Sequence, residues 1–322
     1  MKFNRTLRIF SGLLWLGLFA APHSTPSFAQ AATQKPVASQ KRLAWRVKSD
    51  TAEVTLLGSI HLGSKGMYPM PKEIETAYNT SQNLVVEIDL NKIDQAAIMS
   101  TVQTTGIYKG NETLWKHIKP ATAEALKKFC KTYVLPESAL DKMKPWLVGI
   151  TVALLPLQQA GMEAELGIDR YFLDKAKDKK NVISLETADW QIKLLSSVPE
   201  ELQDTYLLET IQQSTDPKLA GQQMVKLWMD GDPVAFSKWV DKNMKMPGDM
   251  GRKLLEDRNH PMADAIEKLL KGNEKSFVVV GAAHMVGKEG IVALLSAKGY
   301  KVTQIEISPN ETKSVLATPC VL

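Results

Sequence analysis

The chain has 322 residues, of which 44% are hydrophobic and 23% are charged. These proportions exclude an intrinsically disordered chain, which would be poorer in apolar residues and more strongly charged. The formal net charge is +5, but residues 1–29 hold three basic and no acidic side chains, so residues 30–322 carry 37 basic against 35 acidic, or +2. A balance so close to neutral predicts no nucleic-acid partner.

Residues 1–29 have the three regions of a secretory signal peptide. Lys2, Arg5 and Arg8 precede an apolar run at 9–21, and Ser-Phe-Ala at 27–29 offers small residues for cleavage. An uncleaved membrane anchor is the alternative, but the run is shorter than the roughly 20 residues that span a bilayer. We expect cleavage after residue 29, a flexible leader at 30–42, and a periplasmic or secreted protein with no stable membrane insertion.

The chain has two cysteines, Cys130 and Cys320. Disulfides persist in oxidising compartments, so an exported chain could bridge them and tie its C-terminal tail to a helix. The alternative is two unrelated thiols. The sequence does not give the distance between the two cysteines, so a disulfide and two free thiols both remain open.

The first third of the mature chain has the pattern of strands. Strands are expected at Leu43–Val47 and Glu53–Leu57, on either side of a Lys-Ser-Asp turn, which predicts a hairpin. A helix is expected over Pro71–Ser81, followed by a strand at Leu84–Ile88.

A helical pattern dominates from about 93 to 271, interrupted by one short strand at Val182–Leu185. A strand at Phe277–Val280, a helix at Gly290–Lys298 and a strand at Tyr300–Ile305 follow. Neither end of the chain has enough strands to close a sheet alone. We therefore predict an α/β fold, in which residues 43–322 form one domain with a central mixed sheet built from N- and C-terminal strands around a long helical insertion.

Two segments repeat one pattern more than 200 residues apart. An apolar strand is followed by Gly58, two further residues and His61, and the same arrangement recurs at Gly281 and His284. Ligands of α/β proteins bind at the carboxyl ends of the strands, so both histidines are expected at the same edge of the sheet. The alternative is that both are ordinary hydrogen-bonded histidines.

Glu87 follows another apolar strand and is expected at the same edge. A buried carboxylate is costly without a partner, and a metal ion would provide one. Two neutral imidazoles and a carboxylate are a common ligand set for a catalytic divalent ion, so His61, Glu87 and His284 are the candidate ligands. The chain has no H-E-x-x-H motif, no G-x-S-x-G motif and no P-loop. His117 and His260 are expected at the surface.

These motifs, together with several others, resemble the TraB/PrgY/GumN family, which is related to the Tiki proteases. The resemblance covers most of residues 43–307 and depends on segments in a fixed order: Gly58-Ser-Ile-His-Leu-Gly63, Met67-Tyr-Pro69, Val86-Glu-Ile-Asp89, Gly167-Ile-Asp-Arg170, Leu185-Glu-Thr187, Arg258-Asn259 and Gly281-Ala-Ala-His284. It implies a fold related to erythromycin esterase and the haem-binding ChaN proteins. It also implies a metal-dependent hydrolase site formed by both Gly-x-x-His motifs and an acidic residue. Tiki proteins are membrane-anchored, metal-dependent proteases, whereas this chain is expected to have no membrane anchor after signal-peptide removal.

The resemblance adds Glu186, Arg258 and Asn259 to the candidate catalytic residues. Glu186 ends an apolar strand and is the candidate base. The alternative is that Glu186 has no catalytic role and is simply the residue before Thr187 at the start of a helix. Arg258 could hold a substrate carboxylate with two hydrogen bonds, or it could pair with Glu256 or Asp257 in solvent.

Two further residues of the pattern, Asp169 and Arg170, could be structural. Arg170 would then pair with Asp174 four residues later.

The function predicted from these features is an exported metal-dependent hydrolase, peptidase-like in activity, that acts on a peptide or small-molecule substrate. Mn, Co or Zn would serve as its divalent ion. A bound ion would lower the pKa of a coordinated water molecule toward 7. The alternative is a non-catalytic periplasmic protein that binds haem or a metal at the same edge.

Overall fold

Six strands form one mixed sheet in the computed structural model, which describes residues 40–213, 217–244 and 246–308. The strands are β1 at Gln40–Lys48, β2 at Glu53–Ser59, β3 at Asn83–Val86, β4 at Asn181–Ser184, β5 at Ser276–Gly281 and β6 at Lys301–Ile307. Their order is β4-β3-β5-β2-β1-β6. The prediction of an α/β fold with a mixed sheet built from both ends of the chain is confirmed.

Four neighbouring strands, β4, β3, β5 and β2, run parallel, whereas β1 pairs antiparallel with both β2 and β6. The carboxyl ends of the four parallel strands therefore lie along one edge. Ser59 at the end of β2 is opposite Gly281 at the end of β5, and Val86 at the end of β3 is opposite Val279. The loops that follow these strands therefore begin at nearly the same level.

The helices occupy the remaining segments, mostly between β3 and β5. They are α1 at Lys72–Thr80, α2 at Gln95–Thr105, α3 at Leu114–His117, α4 at Pro120–Thr132, α5 at Pro145–Gln159, α6 at Ile168–Ala176, α7 at Ala188–Ser196, α8 at Glu200–Gln213, α9 at Pro217–Asp230, α10 at Pro233–Asn243, α11 at Asp257–Leu270, α12 at Ala282–Met285 and α13 at Ile291–Ala297. None of the helices in these described ranges is long and apolar enough to span a membrane.

The apolar side chains form two large clusters. One surrounds the sheet, where Phe277–Val280 are completely buried. The other lies inside the helical insertion and contains Leu126, Phe129 and Trp146. The insertion thus has a core of its own beside the sheet. Its helix α7 nevertheless reaches the sheet edge through Gln191.

The last part of the predicted helical region, residues 251–271, is not a regular α-helix throughout. Arg252–Glu256 form a π-helical turn, and the α-helical part, α11, begins at Asp257. Pro261 has no N–H to donate to the Asp257 carbonyl, which weakens the regular pattern in the first turn of α11. Isolated π turns are frequent at functional sites, and this one immediately precedes Arg258.

Several predictions concern residues outside the described ranges. They include the signal peptide at 1–29, nearly all of the leader at 30–42, and Cys320. Cys130 is buried in α4. Its disulfide with Cys320 stays a prediction.

Candidate functional site at the carboxyl edge of the sheet

The four parallel strands deliver His61, Glu87, Glu186 and His284 to one edge. His61 lies in the loop after β2, Glu87 directly follows β3, and His284 lies in the short helix α12 after β5. The two Gly-x-x-His motifs thus reach the same place with different backbone structures, one a loop and the other a helical turn.

Gly281 lies at the bottom of the space between these side chains. A methyl group at Gly281 would be 3.4 Å from His284 Cδ2, 3.6 Å from Glu87 Oε2 and 3.8 Å from His61 Nε2. The Glu87 Oε2 and His284 Nε2 atoms are 4.0 Å apart. A glycine at this position therefore leaves open a small space that two imidazoles and a carboxylate border.

His61 is held from behind by Asp169 at the start of α6. The His61 Nδ1 atom is 2.8 Å from Asp169 Oδ2, and the Ser59 hydroxyl donates to Asp169 Oδ1 over 2.6 Å. The Asp169 charge raises the pKa of His61 to about 9, against the opposing effect of burial. The His61 side chain is 60% exposed, so the ring also borders the solvent.

Two glycines allow Asp169 to approach His61. Gly63 and Glu163 exchange backbone hydrogen bonds of 2.8 and 2.9 Å. A side chain at Gly63 would be 1.7 Å from the Leu166 carbonyl oxygen, and one at Gly167 would be 2.4 Å from the His61 carbonyl oxygen. These contacts explain why glycines are needed at both positions: only hydrogen fits between the two loops.

Asn259, in the first turn of α11, contacts the Nδ1 side of the His284 ring. The distance from His284 Nδ1 to Asn259 Oδ1 is 2.6 Å, and Asn259 Nδ2 donates to the Glu289 carbonyl over 2.7 Å. Because the amide nitrogen binds Glu289, the amide oxygen faces the ring and accepts a hydrogen bond from the Nδ1–H. The Nε2 lone pair of neutral His284 therefore faces the site. Burial, assisted by the nearby Arg258 charge, lowers the pKa of His284 to about 4.

Arg258 does not pair with Glu256 or Asp257 but contacts two carboxylates from other parts of the chain. Its Nε and Nη2 atoms donate to the two oxygens of Glu186 over 3.0 and 2.7 Å, and Nη2 also donates to Glu87 Oε1. The Nη1 atom donates to the Leu254 carbonyl over 2.9 Å. Pairing with Glu256 or Asp257 is therefore wrong, and the guanidinium is already engaged rather than free for a substrate carboxylate. The cause is the π turn, after which Arg258 lies beside the ends of β3 and β4.

Glu87 and Glu186 form one buried cluster with Arg258, the three side chains being 8–12% exposed. Burial alone would raise the pKa of Glu87. The positive charges of His284, which is protonated only below about pH 4, and of His61 and Arg258 instead lower it to about 2. Glu87 is therefore an anion throughout the neutral range.

The structure adds Ser59 and Gln191 to the site. Ser59 is the last residue of β2 and lies within the first Gly-x-x-His motif, so the sequence could have indicated that it is near the site. Gln191 donates from Nε2 to both Glu87 Oε1 and Glu186 Oε2. No motif or spacing in the sequence distinguishes Gln191 from the other glutamines.

The remaining expectations concern residues away from this space. Arg170 pairs with Asp174 over 3.0 Å, as predicted. His260 is exposed, and the His117 side chain is 27% exposed and stacks on Tyr108 with 4.2 Å between ring centroids. Both histidines therefore reach the surface, as predicted.

The donor chemistry of His61, Glu87 and His284 fits a divalent metal ion. Each imidazole has its Nδ1 on an oxygen acceptor, an arrangement that orients metal-binding histidines and leaves Nε2 for the ion. Within residues 40–213, 217–244 and 246–308, however, no three His, Cys, Asp or Glu residues are close enough together, as placed, to form a coordination group. The side chains would have to draw together to share one ion, since ligand bonds are about 2.0–2.2 Å long.

In chelator-treated protein, the pKa of His61 is expected to lie above the ordinary value for histidine and the pKa of His284 below it. Imidazole NMR resonances should give a pKa near 9 for His61 and near 4 for His284. The His61–Asp169 pair then stabilises the folded state fully below about pH 6.5 and loses this contribution as the pH rises through 9. For His284, folding stability falls as the pH drops from about 6.5 toward 4, because only the unfolded state takes up the proton.

The control for this titration is Asp169→Asn. It removes the charge beside His61, so the pKa of His61 should fall toward 6.5 while that of His284 changes little. Two wild-type histidines that both titrate near 6.5 would contradict the hydrogen-bonding arrangement described above.

Comparisons with known proteins agree with the resemblance found in the motifs. The chain is 26% identical over 249 residues to "Uncharacterized protein YbaP" of Escherichia coli (strain K12), a match that covers 74% of this chain and 86% of the relative; the protein of the same name from Shigella flexneri gives the same values. An "Uncharacterized protein" of Treponema pallidum (strain Nichols) is 18% identical over 282 residues, 84% of each chain. No solved structure matches. A model of the TraB/PrgY/gumN family matches residues 43–304, which is most of the sequence. The chain therefore belongs to the TraB/PrgY/gumN family.

Proposed function

We propose that this protein is an exported metal-dependent hydrolase with peptidase-like activity. The observation that supports this function best is the shared orientation of the two histidines. Each has Nδ1 on an oxygen acceptor, and the Nε2 atoms border the same space as Glu87 Oε2. Hydrogen-bonded core histidines have no need for a common open space.

In this proposal, His61, His284 and Glu87 hold a divalent ion such as Mn, Co or Zn. The bound ion would lower the pKa of a water molecule toward 7 and polarise a substrate carbonyl. Asp169 and Asn259 keep the two imidazoles oriented. Arg258 balances the charge of the two buried carboxylates.

Glu186 as the base remains a prediction, with a structural condition attached. Its carboxylate accepts hydrogen bonds from Arg258 and Gln191. Among the described residues, Glu186 Oε1 accepts only from Arg258 Nε and keeps a lone pair for a proton, but the Arg258 charge opposes protonation of this carboxylate. Glu87 Oε2 is less engaged, since its nearest donor is the Gly281 N–H at 3.4 Å.

The substrate class comes from the family resemblance rather than from the shape of the site. The exposed His61 ring leaves one side of the space open to solvent, which a polymeric substrate such as a peptide requires.

Turnover and binding can be separated by two measurements on the purified mature protein. A peptide library incubated with the protein and Mn²⁺, Co²⁺ or Zn²⁺ should be cleaved, and chelation should stop the cleavage. Haem titration tests the alternative function. A Soret shift that disappears in His61→Ala or His284→Ala, without hydrolysis of any peptide, would favour a binding protein and overturn the hydrolase.

Export is tested separately by the N-terminus of the protein recovered from the producing cells. Signal-peptide cleavage predicts a mature chain that begins near Gln30, measurable by intact-mass spectrometry. Recovery of full-length protein with Met1 in the membrane fraction would show that residues 1–29 are retained as an anchor.

A further inference from the structure

Gln191, in the helical insertion, contacts both buried carboxylates. It lies on α7, and its Nε2 atom is 2.6 Å from Glu87 Oε1 and 2.7 Å from Glu186 Oε2. An amide nitrogen has two hydrogens, so one side chain can serve both acceptors. Gln191 therefore spans the ends of β3 and β4, which are neighbouring strands.

The two oxygens of Glu87 have different surroundings. Oε1 accepts from Arg258 and Gln191, whereas Oε2 borders the space next to His284 and His61. Two donors on Oε1 prevent the carboxylate from rotating about its last bond.

We infer that Gln191 is a positioning residue, which acts through Glu87 by keeping Oε2 directed toward the two histidines. This inference rests on the proposed function, because Oε2 is the oxygen that would bind the ion. Gln191 itself faces Oε1 and does not reach the space between the imidazoles.

The neutrality of the amide suits this role. Glu87 and Glu186 carry two negative charges, and Arg258 supplies one positive charge. A lysine at position 191 would neutralise the remaining charge and so weaken the attraction between Glu87 and a cation. A glutamine supplies the hydrogen bonds and leaves the negative charge in place.

The matched pair of variants for the test is Gln191→Met and Gln203→Met. Gln203 is also buried and uses both ends of its amide, accepting from the Trp146 N–H over 3.2 Å and donating to the Val198 carbonyl over 2.6 Å. It has no contact with the carboxylates. Both substitutions keep the side-chain length and are expected to lower the thermal unfolding midpoint.

Titration with Co²⁺ then separates positioning from stability. Gln191→Met should bind Co²⁺ about 10-fold more weakly, since changes behind a metal ligand typically cost about 10–100-fold in affinity. Gln203→Met should stay within about twofold of wild type. Equal Co²⁺ affinity in wild type and Gln191→Met, or an equal loss in Gln203→Met, would overturn the inference.

A second measurement needs no metal ion. In chelator-treated protein labelled with ¹⁵N-glutamine, the Gln191 amide signals are identified by their absence from Gln191→Met. Glu87→Ala and Glu186→Ala should each shift mainly one of the two Nε2 protons upfield. If wild type binds no Co²⁺, the proposed function fails, and the proton shifts alone decide whether Gln191 holds Glu87. Unchanged shifts in both variants would refute that contact.

Discussion

His61→Ala, His284→Ala and Glu87→Gln should each reduce bound divalent metal well below one ion per chain. The three side chains border one space and would act as one ligand set, so the loss of any member removes the geometry that the other two need. We expect the affinity to fall by at least about 100-fold, because changes in residues that only orient ligands already cost about 10–100-fold. Pairs of these substitutions should cost far less than the sum of the single changes.

Metal content of the purified variants, measured by elemental analysis, checks this expectation alongside circular dichroism to verify folding. His260→Ala is the matched control, because His260 is exposed and pairs with the exposed Glu289 at 3.4 Å. It should retain full metal content. Full occupancy in all three site variants, or a wild-type protein that binds no divalent ion at millimolar concentrations, would contradict the metal site.

Arg258→Met should destabilise the protein by about 3–5 kcal/mol, the cost of removing one partner from a buried ion pair. Arg258 holds the Glu87 and Glu186 carboxylates, which are 10% and 8% exposed. Without the guanidinium, two buried negative charges would face each other and share only the Gln191 amide. Adding Glu186→Gln removes one of these charges and should restore part of the lost stability.

Urea unfolding of the metal-free protein measures these differences in the free energy of unfolding. Arg252→Met is the control, since Arg252 binds Asp257 over 2.6 Å but its side chain is 53% exposed. Exposed pairs contribute about 0–1 kcal/mol. Comparable losses for Arg252→Met and Arg258→Met would argue against a special role for the buried cluster. An Arg258→Met effect below about 1 kcal/mol would do the same.

The sequence was sufficient to predict that His61, Glu87 and His284 lie at the same edge of the sheet. Each follows an apolar run, and in an α/β sheet the carboxyl ends of parallel strands meet at one edge. This rule needs only strand direction and sequence order. It works even though His61 lies in a loop and His284 lies in a helical turn.

The partners of Arg258 could not be predicted from the sequence. The sequence places Glu256 and Asp257 beside it, but contact on a helix depends on the turn geometry. Arg258 comes just after the π turn at Arg252–Glu256, and its guanidinium lies against Glu87 and Glu186 instead. These carboxylates are 171 and 72 residues away along the chain.

The sequence by itself determined the fold class and the candidate ligands His61, Glu87 and His284, because hydrophobic periodicity and the residues at strand ends are local properties. The tertiary structure alone decided how these side chains are held. Asp169 behind His61, Asn259 behind His284, and Arg258 with Gln191 beside Glu87 come from separate elements. Their distances depend on helix packing and close glycine contacts, which no local pattern encodes.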